Sequence, residues 1–142
     1  MKRALALILF IIICFGTAIS NQQGKSGNAV VTVDESTQFS ESEIYEAVSC
    51  VKTKFRDFKG SELTDIWYDE EKSILAVKSY MTSGAGSVND VKPENVIVLL
   101  SNFKVNSSNK VGFEPNSIVE DWCWILIRND ETSRWVADDW GY

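Results

Sequence analysis

The 142-residue chain contains no histidine, which removes the commonest ligand of a zinc site and the usual partner of a nucleophilic cysteine. Positive charge is also in short supply: 14 Lys and Arg stand against 20 Asp and Glu, a balance that argues against nucleic acid or anionic lipid as a partner. There is no internal repeat and no low-complexity tract. The glycines of residues 82–90 (TSGAGSVND) lack the spacing and the flanking Lys-Ser/Thr of a phosphate-binding loop, so this stretch reads as a connector. The acidic run Asp69-Glu70-Glu71 does not alternate as EF-hand ligands do and is explained by the dipole of a helix N-terminus. Neither a metal nor a cofactor is expected.

What is present begins with an address. Lys2 and Arg3 precede an apolar run over residues 4–15, and Ala18-Ile19-Ser20 supplies the small-x-small pattern of a cleavage site. Residues 1–20 therefore read as a signal peptide and the remainder as secreted or extracytoplasmic. The alternative is an uncleaved anchor over residues 4–19, although that stretch falls short of the roughly 20 residues that cross a bilayer. Cys14 sits behind the bulky Ile13, the wrong context for a lipidated cysteine. Two basic residues leave with the signal, which leaves 12 basic against 20 acidic residues, a net charge of −8 on residues 21–142. Membrane contact is expected only through the signal segment if it is uncleaved. The remaining length suits one domain with one core.

Cys50 and Cys123 remain after cleavage. An exported location permits a disulfide between them, worth on the order of 4 kcal/mol for so long a loop; two buried free thiols acting as small apolar residues are the alternative.

Residues 21–38 read as a flexible leader that adds at most one edge strand over residues 29–33. Ser40 as N-cap, Glu43 as its capping-box partner and Phe39 against Ile44 mark the clearest helix start. Ile44, Val48, Val51, Phe55 and Phe58 continue the helical stripe, and Gly60 stops it. A strand follows over residues 62–68. Asp69 then caps a second short helix over residues 70–81, with a strand over residues 73–79 as its competitor. Strands over residues 95–105, 119–128 and 134–140 complete an antiparallel meander, with a mobile loop over residues 106–117. The run Trp122 to Ile127 is apolar on both alternating faces, which places it in the sheet interior.

This order, an amphipathic helix followed by a sheet that ends in Trp-x-Trp-Ile-Leu-Ile-Arg, a polar turn and Trp-Val-Ala-Asp-Asp-Trp-Gly, resembles the nuclear transport factor 2-like (cystatin-like) superfamily, and within it small secreted bacterial domains of unknown function. Residues 122–141 carry the likeness, and the element order extends it across residues 39–142. The resemblance implies an α+β fold in which a long N-terminal helix packs on a curved antiparallel sheet, a cone often open at one end. Members include isomerases with an Asp general base, dehydratases and non-catalytic binding or dimerisation modules, so the fold does not choose the function. The histidine of the dehydratase type is absent here.

Two kinds of candidate residue follow. Strand alternation places Asp138 and Asp139 on opposite faces. If Asp139 shares a face with Trp135 and Ala137, apolar surroundings would raise its pKa as a general base or a protonated donor requires; the alternative is a strand-end carboxylate in solvent or paired with Arg128 or Arg134. The aromatic residues Trp67, Tyr68, Trp122, Trp124, Trp135, Trp140 and Tyr142 could line a pocket for a flat apolar ligand or a sugar, or fill the core. The sequence thus supports an exported, non-catalytic domain that binds a small molecule or a protein through an aromatic sheet face, with a homodimer as one arrangement. The alternative is a pocket enzyme of isomerase or hydrolase type using an Asp base.

Overall fold

The computed structural model describes residues 23–107 and 112–142, so the signal segment expected over residues 1–20 lies outside the described residues. The fold is mixed α+β. Its strands are β1 (Val30–Val33), β2 (Ser61–Tyr68), β3 (Val96–Val105), β4 (Ile118–Ile127) and β5 (Val136–Gly141). They lie side by side in that order in one open sheet. Helix α1 (Glu41–Phe55) connects β1 to β2, and helix α2 (Glu70–Ser83) connects β2 to β3.

Helix α1 starts where its sequence says it should. The Ser40 hydroxyl accepts from the Glu43 amide at 3.2 Å, while the Glu43 carboxylate accepts from the Ser40 amide at 2.7 Å. Ile44, Ala47, Val48, Val51 and Phe55 form its buried stripe. The helix ends at Phe55 rather than running on through Phe58. Phe58 lies in the following turn and stacks on Phe55 with centroids 5.2 Å apart, so it still joins the core. Asp69 caps α2 by accepting from the Lys72 amide at 3.0 Å, and the helix prevails over the competing strand.

Strands β2 to β5 are antiparallel neighbours, but β1 pairs with β2 in parallel through the crossover of α1, which makes the sheet mixed rather than antiparallel throughout. The leader expectation is corrected with it. Gly24 donates to Arg56 O at 3.1 Å, Lys25 donates to Ser61 O at 2.9 Å, and Leu63 donates back to Lys25 O at 2.8 Å. Residues from 23 onward therefore belong to the domain, because their backbone groups complete the edge of β2.

Alternation divides the sheet between two layers. Ile97, Leu99, Phe103, Val105, Trp124 and Leu126 join Leu63, Ile66 and Tyr68 in the core under α1. Val96 and Val98 are buried on the other face, where α2 lies against β3. β2 has ended at this point, and the Val98 amide donates instead to the Ser73 hydroxyl of α2 at 3.1 Å. Among the described residues no helix is long and apolar enough to cross a membrane.

Candidate functional site

The last two strands and the end of α1 build the site. Trp122 and Trp124 stand two residues apart on β4, and both pack toward α1; Trp124 is opposite Trp140 of β5. Tyr142 meets Trp122 edge-on at 5.1 Å between centroids. Phe58 and Phe113 close the remaining sides, lying 6.0 Å apart and respectively 6.2 and 5.4 Å from Trp122. Beside these rings opens a groove of about 470 Å³, lined by Lys54, Asp57, Phe58, Gly112, Phe113, Trp122 and Trp140. Lys54 Nζ lies 4.5 Å from the centroid of the Trp140 ring and 2.9 Å from Asp57 Oδ2. The Trp122 indole N–H is buried with no partner among the described residues. An unpaired donor of this kind costs about 1–3 kcal/mol, which an acceptor reaching it would recover.

A larger groove of about 1020 Å³ adjoins it between α1 and residues 131–137 and shares Lys54 and Asp57. It is lined mainly by short polar and charged side chains, including Glu46, Ser49, Thr53 and Thr132, and lacks the converging rings of its neighbour. A binding site is generally apolar with a few placed polar groups, so the aromatic groove is the stronger candidate.

The expected ligand-binding residues separate. Trp124 and Tyr68 are fully enclosed in the core, with the Trp124 indole donating to Ser101 Oγ at 2.8 Å. Trp135 is likewise core: its indole donates to Glu43 O at 3.1 Å, and its ring carries the Arg128 guanidinium at 4.4 Å. Trp67 is half-buried and pairs with Leu100, placing it on the face away from α1. Only Trp122 of the five reaches the groove, where it is joined by Trp140, while Tyr142 packs on the Trp122 ring without lining the groove. Lys54, Asp57, Phe58 and Phe113 were not anticipated. The first three belong to the end of α1 and its turn, and Phe113 to a loop, so no local pattern links them to the β4–β5 hairpin.

The two carboxylates do not behave as strand alternation predicts. Ile125 pairs with Asp139 and Leu126 with Ala137, so Asp138 is the extra residue of a β-bulge. Asp138 accepts from the Tyr80 hydroxyl of α2, and the negative charge of Asp139 acts on the Cys123 thiol, so both serve the face away from α1. Asp139 therefore shares no face with Trp135 and Ala137, and both carboxylates are exposed, without the apolar enclosure expected of a general base. Tyr80 and Asp138 do converge, at 2.6 Å, but outside both grooves.

Cys50 and Cys123 are free thiols. Cys50 packs on the α1 side with its Sγ 3.3 Å from Trp135 O, whereas Cys123, next in sequence to the core-facing Trp124, lies on the opposite face. The sheet separates them, so the disulfide is not formed. Burial, then the nearby Asp139 charge, pushes the Cys123 thiol up to about 11; burial also raises Cys50. Among the described residues no group of three His, Cys, Asp or Glu is placed to hold a metal ion.

No curated protein and no solved structure matches the chain. Residues 21–141 match the family described as Domain of unknown function (DUF4829), a span that takes in every strand and both helices, and the chain belongs to that family.

Proposed function

We propose that this protein is an exported, non-catalytic binding domain of the nuclear transport factor 2-like type that takes a small ligand in the aromatic groove at the end of α1. One observation carries the reading: Phe58, Phe113, Trp122 and Trp140 line an open groove of about 470 Å³ that also offers a charged pair. Rings gathered at the margin of the core supply flat apolar area with little conformational entropy to lose. The signal-type start of the sequence supports export, and the packing of α1 on one face of the sheet is compatible with a cystatin-like cone.

The test is a thermal-shift and tryptophan-fluorescence screen of the purified protein against cholate, N-acetylglucosamine and choline, repeated with Trp140→Ala. At least one probe should stabilise the wild type and quench its fluorescence, with both effects lost in the variant. If no probe does either, the groove is not a ligand site.

A further inference from the structure

The groove already holds a cation, supplied by the chain itself. The Lys54 ammonium lies 4.5 Å from the Trp140 ring centroid with Asp57 Oδ2 2.9 Å away, an arrangement in which a ring quadrupole and a carboxylate both stabilise positive charge. We infer that the groove takes a quaternary ammonium group, with Lys54 as the internal stand-in that the ligand displaces. The inference rests on the proposal that the aromatic groove is the ligand site and names the ligand's chemistry.

Three features favour a cation over an anion or a neutral ring. Among the described residues, Lys54 carries the only ammonium lining the groove and Asp57 stands beside it, so an anion held by Lys54 would have to break that pair and lie against a carboxylate. The sequence carries a formal net charge of −6, which draws cations and repels anions at long range. Finally, Lys54 is weakly held: the pair is an exposed i,i+3 bridge, with side chains 31% and 67% accessible, and such bridges contribute little. The lysine stem is flexible and its ammonium strongly hydrated, so it can leave to solvent. A methylated ammonium sheds water more readily, and its methyl groups can contact Trp140, Trp122, Phe58 and Phe113, which line the groove.

The experiment follows the indole Nε1–H signals of Trp122 and Trp140 by NMR while choline chloride is titrated into the full chain, with sodium chloride as the ionic-strength control. Saturable shifts are expected with choline alone. Lys54→Ala should bind choline about three- to tenfold more tightly, because its internal competitor is gone, and Asp57→Asn about three- to tenfold more weakly. Both positions are on the surface, so neither change threatens folding. Shifts with N-acetylglucosamine or cholate but not choline would overturn the cation assignment and leave the groove intact as a site. Silence with every probe would remove both. Lys54→Ala binding choline no better than the wild type would overturn the stand-in role.

The same chemistry occurs free and on lipids, and co-sedimentation separates the two sources. Binding to phosphatidylcholine vesicles that choline reverses identifies a headgroup; choline binding without vesicle binding identifies a soluble ligand. Sedimentation with phosphatidylglycerol vesicles alone would contradict the proposal.

Discussion

The Tyr80 hydroxyl donates to Asp138 Oδ2 at 2.6 Å, tying helix α2 to the last strand across the face of the sheet opposite α1. Asn89 completes the contact by donating its amide to the same hydroxyl at 2.8 Å. The phenol is buried and the carboxylate is exposed, so the bond is charge-assisted yet partly screened.

Tyr80→Phe is therefore expected to lower unfolding free energy by about 1 kcal/mol, measured by urea denaturation. Burial, then the hydrogen bond to Asp138, pushes the Tyr80 phenol up to about 12 from its ordinary value of 10. The fold favours the neutral phenol, so this contribution is complete below pH 10 and is lost as pH rises from 10 toward 12. The wild type should lose more stability than Tyr80→Phe over that interval.

Arg128 is 6% exposed, yet it carries full charge. Its Nη1 donates to Glu43 Oε1 at 2.8 Å, and its guanidinium carbon lies over the Trp135 ring at 4.4 Å. Arg128→Ala would leave Glu43 without this partner and open space beside Trp135. Removing one member of a buried pair costs about 3–5 kcal/mol, and the partial exposure of Glu43 places the expected loss at the low end. Lysine should not rescue it, because it lacks the planar guanidinium. Burial opposes ionisation of Glu43, but hydrogen bonds from the Ser40 backbone and from Arg128 outweigh it and bring the carboxyl below its usual value of 4.5. That contribution is present above pH 4.5 and is lost as pH falls through the lowered value. In acid denaturation, Glu43→Gln should therefore lose less stability than the wild type.

A Cβ placed on Gly24 would lie 2.0 Å from Phe55 O and 2.9 Å from Phe58 O, both backbone atoms, whereas one on Gly27 would meet nothing within 4 Å. Gly24→Ala should cost about 1–3 kcal/mol, the usual range for overpacking, and Gly27→Ala should be close to neutral. Chemical denaturation of the two variants checks whether the chain before β1 is structural. Equal stability would return it to the status of a leader.

Cys50 and Cys123 should remain thiols in air. Their raised pKa values leave little thiolate at pH 8, so iodoacetamide should modify them slowly in the native protein and rapidly in urea. Peptide mapping under non-reducing conditions should find no Cys50–Cys123 linkage.

Much of the fold was legible in short-range chemistry. Ser40 and Glu43 lie three residues apart, so the start of α1 was encoded where it forms, and the Asp69 cap was equally local. The meander could be read from three β-rich runs separated by turn residues. Long-range consequences were harder to see. Nothing in residues 23–38 announces that their backbone will find Arg56 and Ser61, because that pairing depends on where α1 delivers β2. The bulge at Asp138 cancels the alternation on which the reading of Asp138 and Asp139 depended. The groove was half legible, since Trp122 and Trp140 stood out as aromatics. Their partners Lys54, Asp57, Phe58 and Phe113 arrive from other parts of the chain.

The same bulge also bears on how the molecule behaves when concentrated. Among the described residues β5 is an outermost strand, and one of its sides has no strand beside it. A second chain trying to lay a strand there would meet a local kink at Asp138 and two adjacent negative charges, and a copy offering its own β5 would bring two more. That side is thus defended against fibre-like growth, and crowding should leave the sheet at five strands.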